Sequence, residues 1–185
     1  MSNKIKKSKI QSDKKRNRFW ICAFGIPLAV IVLVIAVVIK EQTRETNVSV
    51  TLNSNGDFVV NVADIGNEFY NYDYGGEHDI LIWKDGNGTV RTAFDTCEEC
   101  FSTGNAHYEY ENGVLVCQSC QTEFPINSFG NKSWGGCQPV AVATDYRTDT
   151  EEQIIIPAEV LNYANDVFEA WKAGDFTVTM ENYSV

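Results

Sequence analysis

Apolar and polar residues alternate in short runs between Val48 and Val116, with a polar loop after each run. Such runs, rich in Val, Ile, Tyr and Phe, are typical of β-strands. Three of the loops contain an Asn-Gly pair, which is a strong local signal for a hairpin. The predicted hairpins join Val48–Leu52 to Phe58–Val62, Ile80–Lys84 to Thr89–Phe94, and His107–Tyr110 to Val114–Val116. The pattern predicts a mainly β domain.

The period changes near the end of the chain, between Pro157 and Lys172. Apolar residues recur there at helical spacing, at Val160, Leu161, Ala164, Val167, Phe168 and Trp171. Pro157 suits the first helical position, and Gly174 is a plausible stop. We expect a C-terminal amphipathic helix and then a final strand over Phe176–Met180. The predicted fold class is therefore α+β and mainly β.

A third pattern lies near the N-terminus, where the 21 residues of Phe19–Ile39 include no charged side chain. A helix of this length rises about 30 Å, which is enough to cross the core of a bilayer. A cleaved signal peptide would have a shorter apolar region and a small-residue cleavage site. Lipid attachment at Cys22 is not expected, because the residues before it are large. We predict a transmembrane helix over residues 19–39.

Charge orients this helix, because residues 1–18 hold eight of the fifteen Lys and Arg residues. Basic flanks stay in the cytoplasm. We therefore predict a cytoplasmic tail (1–18), a linker (40–47) and one extracytoplasmic domain (48–185), in a single-pass protein of the cell membrane. A single domain is expected because the external part has the usual length of one.

The external part is strongly acidic, with seven basic and 24 acidic residues from Lys40 onward. Its formal net charge of −17 disfavours nucleic acid as a partner. Cations, metals or a basic protein are more compatible with such a surface. The acidic residues also serve to keep an exposed domain in solution.

Five of the six cysteines form a regular array in which sixteen residues separate consecutive groups: Cys97 and Cys100, Cys117 and Cys120, and the single Cys137. Two CxxC pairs can supply four thiolates to one metal centre. Each pair is expected on a turn at a strand end, as in zinc ribbons, rubredoxin-like sites and Rieske-like domains. The four cysteines of the two CxxC pairs, Cys97, Cys100, Cys117 and Cys120, are therefore the predicted metal ligands.

Cys137 follows two glycines and precedes a proline, in a loop that permits close backbone approach. It is predicted to bind the cofactor as a fifth or exchangeable ligand, or to lie just outside the ligands; a packed core thiol is the alternative. Aromatic residues are expected to cover the site, at Phe124, Phe129 and Trp134. His107 is either an added ligand or a solvent-facing residue, and His78 has a weaker claim.

The segments around these cysteines resemble three sequence boxes of the FtrD-like family of membrane iron-sulfur proteins. Residues 92–100 contain A-F-D-x-C-x-x-C, residues 115–130 contain C-x-x-C-x-x-x-F-x-I, and residues 135–139 are G-G-C-x-P. The resemblance covers approximately Val48 to Phe168. It implies a membrane-attached extracytoplasmic domain that contains iron and sulfur and works near metal-transport or redox components. The chain departs from the family pattern at two places. Gln138 stands where Asn is common, and Ala106-His107-Tyr108 stands where the family commonly has a Gly-Tyr pair.

Thiolates bind Zn(II), Cu(I) and iron-sulfur clusters, so the ligand type alone does not select the metal. Four cysteines satisfy tetrahedral zinc and a [2Fe-2S] cluster equally well. Disulfides are a further alternative in an oxidising compartment, although five cysteines leave one unpaired. An iron-sulfur cofactor is the interpretation we carry forward, with zinc as its alternative.

These features predict a membrane-anchored protein whose iron-sulfur centre transfers electrons in metal (iron) transport or membrane redox. A permease or an oxidoreductase in the same membrane is the expected partner. The alternatives are a structural zinc-ribbon-type interaction domain and a copper or iron carrier without a redox role. A stand-alone enzyme is not expected, because no Ser-His-Asp, Cys-His or paired-carboxylate group stands out.

Overall fold

The computed structural model describes residues 45–131 and 136–183, which belong to one compact unit. The predicted cytoplasmic tail (1–18) and transmembrane helix (19–39) lie outside the described residues, as does Trp134. Within the described ranges, no helix has both the length and the apolar character needed to cross a membrane. The mainly β prediction is confirmed for this unit, which contains one α-helix.

The strands are short, and several are separated by single 3₁₀ turns. Their bounds are β1 (Glu45–Ser49), β2 (Phe58–Asn61), β3 (Phe69–Asp73), β4 (Ile80–Lys84), β5 (Val90–Phe94), β6 (Tyr108–Glu111), β7 (Val114–Cys117), β8 (Glu123–Pro125), β9 (Val140–Ala141), β10 (Thr148–Asp149) and β11 (Gln153–Ile156). The helix α1 covers Ala158–Lys172. The 3₁₀ turns are Val62–Asp64, Phe101–Thr103, Ile126–Ser128, Thr144–Tyr146 and Met180–Asn182.

A five-stranded sheet in the order β1-β3-β4-β5-β9 lies between two hydrophobic cores. In its central strand β4, Ile80, Leu81 and Ile82 are all fully buried. Because successive side chains of a strand point to opposite faces, Ile80 and Ile82 join one core and Leu81 joins the other. The sheet therefore supports a packed face on each side.

The first core contains helix α1 and the three-stranded sheet β10-β11-β2. The helix buries all of the apolar positions from which it was predicted: Val160, Leu161, Ala164, Val167, Phe168 and Trp171. Its first N–H group, at Ala158, donates to the Asp57 carboxylate at 2.9 Å. This hydrogen bond is the main reason that the pKa of Asp57 is lowered. The helix prediction is confirmed, with Pro157 as its N-cap.

The second core lies between the main sheet and the small sheet β6-β7-β8. Phe69, Leu81, Leu115 and Phe129 pack there together with three of the cysteines. Burial of this apolar set stabilises the strand ends that carry the cysteine loops. The fold thus places the cysteines against a packed core on one face of the central sheet.

Two of the three predicted hairpins are confirmed, and the first is wrong. β4 pairs with β5, and β6 pairs with β7, as expected. β1, however, runs parallel to β3, and β2 pairs with β11 instead. The Asn53 side chain does close the expected turn, by accepting from the Asp57 N–H at 2.9 Å. The turn forms, but Phe58 and Val60 of β2 are buried in the helix core and draw β2 away from β1.

Two boundaries also differ from the sequence interpretation. β1 begins at Glu45, inside the predicted linker, because its backbone pairs with β3 from Glu45 onward. The predicted strand Phe176–Met180 is absent from the described residues, which have a 3₁₀ turn at Met180–Asn182 instead. The Trp171 indole donates to the Val178 carbonyl at 2.7 Å, so that carbonyl bonds a side chain.

Candidate metal centre

Cys97 and Cys100 lie in the loop that follows β5, and both are buried. The N–H group of Cys100 donates to Cys97 Sγ at 3.3 Å, which closes the CxxC turn on its first sulfur. The Asp95 carboxylate holds this loop against β6 by accepting from the Tyr108 N–H at 2.8 Å. The loop is therefore fixed to both the main sheet and the small sheet.

Cys117 is the last residue of β7, and Cys120 lies in the turn between β7 and β8. The Cys117 N–H donates to the Thr122 carbonyl at 3.1 Å, and the Gln121 N–H donates to the Cys117 carbonyl at 2.9 Å. Gln121 adopts a left-handed conformation with φ 61°. This tight turn leaves Cys117 fully buried and Cys120 exposed.

Cys137 reaches the same place from the third loop. Gly136 precedes it with φ 92°, a conformation that glycine adopts readily. Three residues later, Val140 of β9 pairs with Phe94 of β5. Because the two strands are antiparallel, the residues before β9 and after β5 lie at the same end of the sheet. Cys137 is therefore delivered beside the loop that carries Cys97.

Four sulfurs form a compact group in which all Sγ atoms lie within 4.8 Å of one another: Cys97, Cys100, Cys117 and Cys137. The Cys137 sulfur is 3.5 Å from that of Cys97 and 4.0 Å from that of Cys100. All five cysteines of the array are free in the structure.

The fifth sulfur, Cys120 Sγ, lies 3.2 Å from Cys137 Sγ at the exposed edge of this group. The sequence pattern predicts that the two CxxC pairs supply the four metal ligands. In the structure the compact group contains Cys137, while Cys120 adjoins it from the solvent side.

The part of the chain that carries these thiols matches a known protein family. The model of the family described as "Membrane iron-sulfur containing protein FtrD-like" matches residues 62–168, which is more than half of the chain and includes all five cysteines of the array. The chain belongs to the FtrD-like family. No curated protein and no solved structure matches it.

The hydroxyl group of Tyr108 lies beside the thiols of this FtrD-like protein. Its side chain is buried, and its oxygen lies 3.4 Å from Cys137 Sγ. Burial raises the pKa of Tyr108 strongly, so the hydroxyl keeps its proton and can donate to a thiolate. Sequence reasoning missed this residue, although the predicted β6–β7 hairpin contained the signal, since Tyr108 pairs with Cys117 across it.

Burial and hydrogen bonds shift the pKa of three of the thiols. Burial raises the pKa of Cys100 to about 12 and also raises the pKa of Cys137. At Cys120 the hydrogen bonds of Thr122 lower the pKa to about 6. Because metals bind thiolates, binding at Cys100 and Cys137 of the FtrD-like centre must release protons.

The donor set of this FtrD-like protein suits a thiophilic metal. A single tetrahedral ion with metal–sulfur bonds of about 2.3 Å places its sulfurs about 3.8 Å apart. The distances from Cys137 to Cys97 and Cys100 lie close to that value. All-thiolate donor sets hold zinc and also the iron of iron-sulfur proteins. The four close cysteines could therefore hold a metal.

The remaining candidates fall into different places. Phe129 is buried in the core that contains the cysteines, and Phe124 packs against that core while partly exposed. His107 is exposed and lies outside the compact sulfur group. His78 packs instead against Phe168 of the helix core, with ring centroids 4.7 Å apart. Neither histidine belongs to the compact group of sulfurs.

Proposed function

We propose that this FtrD-like protein carries an iron-sulfur centre on its cysteine array and uses it to transfer electrons at a membrane. The observation that carries the proposal is the group of four cysteine sulfurs within 4.8 Å of one another. The family description supports iron as the metal, because it names membrane iron-sulfur proteins.

The residues that would hold the iron are Cys97, Cys100, Cys117 and Cys137, which lie at or just beyond the ends of strands. Bound iron would supply a one-electron redox couple. The surrounding chain would bury the centre on three sides, since Cys97, Cys100 and Cys117 are each at most 7% exposed. Tyr108 would donate a hydrogen bond to a Cys137 thiolate.

Electron exchange with a partner needs an accessible edge, and the site has one. Cys137 is partly exposed and Cys120 is exposed, whereas the other three sulfurs of the array are buried. The centre therefore approaches solvent on the side of Cys137 and Cys120. A membrane permease or an oxidoreductase would dock at this edge. The uncharged segment 19–39 would hold the protein in the bilayer, with the basic tail in the cytoplasm and the acidic domain outside.

Structural zinc is the second candidate, because the sulfur spacing fits a single zinc ion as well as it fits a single iron. The 3.5 Å and 4.0 Å distances fit a single tetrahedral ion as they stand. A cluster that contains several irons would require the sulfurs to move apart. Zinc would stabilise the second core and would have no redox function.

A redox titration of the full chain, purified without oxygen in detergent, tests the proposal. We expect visible charge-transfer absorption that bleaches on reduction and returns on reoxidation. Measurement of inorganic sulfide then distinguishes a cluster from a single iron held by four thiolates. A colourless protein with stoichiometric zinc would exclude the electron-transfer function.

Two variants provide the matched controls. Cys97→Ser removes a buried sulfur of the compact group and should abolish the absorption. Cys22→Ser removes a cysteine outside the CxxC array and should leave the absorption unchanged. Equal absorption in both variants would show that the colour does not come from the cysteine array.

A further inference from the structure

The five sulfurs of the array differ sharply in their access to solvent. Cys97 and Cys117 are fully buried, Cys100 is 7% exposed, and Cys137 is partly exposed. Cys120 is exposed, and its sulfur lies outside the compact group. An incoming metal ion would therefore meet Cys120 first, and a departing ion would meet it last.

Cys137 links the exposed sulfur to the buried ones. Its Sγ atom is 3.2 Å from that of Cys120, 3.5 Å from that of Cys97 and 4.0 Å from that of Cys100. The Cys117 N–H donates to the Thr122 carbonyl, and the Cys100 carbonyl accepts from the Thr103 N–H at 2.9 Å. Cys137 instead follows Gly136, which has φ 92°, and its side chain is partly exposed. It is the member of the compact group best placed to exchange with a neighbouring sulfur.

We propose that Cys120 is an exchange ligand. It would replace Cys137 as the fourth ligand when a soft metal ion enters or leaves the centre. This inference rests on the proposed function to the extent that the compact group binds a metal. Cys97, Cys100 and Cys117 would retain the ion throughout, while the fourth bond moves between Cys137 and Cys120. The ion then lies nearer to solvent, where an external thiolate can take it.

The exchange balances without any change of oxidation state. One metal–sulfur bond forms at Cys120 as the bond to Cys137 breaks. Cys120 forms its bond as a thiolate, and the released Cys137 thiolate accepts a hydrogen bond from Tyr108 until it takes a proton from solvent. Because a new bond forms while the old one breaks, the ion is never left with only three ligands.

Zinc ions provide the probe for this exchange, whichever metal the protein holds in the cell. The full chain is loaded with zinc, and transfer of zinc to a coloured chelator is followed over time. We expect Cys120→Ser to retain the zinc content of the unmodified protein but to transfer zinc about tenfold more slowly. Cys22→Ser is the matched thiol control and should transfer zinc at the unmodified rate.

The other outcomes overturn the inference. Loss of zinc from Cys120→Ser would make Cys120 a holding ligand, and an unchanged or faster transfer would remove it from the exit path. Cys137→Ser should bind zinc more weakly than Cys120→Ser, and the reverse order would contradict the assignment of the two sulfurs. Failure of the unmodified protein to bind zinc or iron would instead refute metal binding itself, so the two failures are distinguishable.

Discussion

Tyr108 is the single residue from which we expect the clearest electronic effect. Its hydroxyl lies 3.4 Å from Cys137 Sγ in a buried setting. A hydrogen bond to a ligand sulfur stabilises the additional negative charge of the reduced centre and therefore raises its reduction potential. Tyr108→Phe should lower the potential by about 40 mV, if the bond contributes about 1 kcal/mol to a one-electron couple.

Tyr110→Phe is the matched control for this measurement. Tyr110 lies two residues further along β6 and stacks on Phe69, with ring centroids 5.4 Å apart. Redox titration of both variants should show a lower potential for Tyr108→Phe alone. Equal potentials in the two variants would remove the hydroxyl from the account of the centre.

His78 gives a prediction for the pH dependence of stability. Its side chain is 22% exposed and packs edge-on against Phe168, and burial lowers its pKa. In the unfolded chain this residue takes up a proton near pH 6.5. In the folded chain it takes up the proton only at a lower pH. Between the two pKa values the unfolded state binds more protons, so stability is present at higher pH and is lost as pH falls below about 6.5.

His78→Gln should therefore lose less thermal stability than the unmodified protein between pH 7.5 and pH 5.5, values chosen to lie about one unit on either side of the usual histidine pKa. The midpoint of thermal unfolding at each pH provides the measurement. His107→Gln is the control, because that side chain is exposed. An equal loss of stability in His78→Gln and the unmodified protein would contradict the assigned burial effect.

At the scale of elements, the central sheet separates a helix core from a cysteine core, and the same substitution can be made in each. Leu161 of α1 and Leu115 of β7 are both buried, in the first and second cores respectively. Each Leu→Ala change should reduce the free energy of unfolding by about 2–5 kcal/mol. Only Leu115→Ala should also weaken metal binding, because Leu115 lies two residues before Cys117 on the same strand.

Chemical denaturation and zinc titration of the two variants test this separation. The loss of stability should be similar in size, while the zinc affinity should fall in Leu115→Ala and not in Leu161→Ala. Weakened zinc binding in both variants would mean that the two cores do not act independently on the centre.

The elements predicted correctly are those fixed by local signals. The hairpins β4–β5 and β6–β7 each have an Asn-Gly turn between strands that remain neighbours, and α1 has a continuous apolar stripe. β1 and β2 also flank an Asn-Gly turn, yet β2 pairs with β11 more than ninety residues later. Such long-range pairing depends on which core buries Phe58 and Val60, and a local pattern does not contain that information.

At the scale of the whole molecule, the spacing of the cysteines predicted their convergence but not their division into inner and outer sulfurs. Two CxxC pairs suggest equal roles for their four members. The turn at Gln121 exposes Cys120, while the pairing of β9 with β5 brings Cys137 inward. Both effects depend on turn geometry and on strand pairs of two residues, which are too short to recognise in the sequence.

The iron and zinc content of the full-length protein, purified without oxygen, tests the central claim most directly. We predict iron in at least stoichiometric amount, retained in Cys22→Ser and lost in Cys97→Ser, because Cys97 lies fully buried within the compact sulfur group. Stoichiometric zinc without iron, or a metal-free protein in which four of the five array cysteines are joined in disulfides, would contradict it.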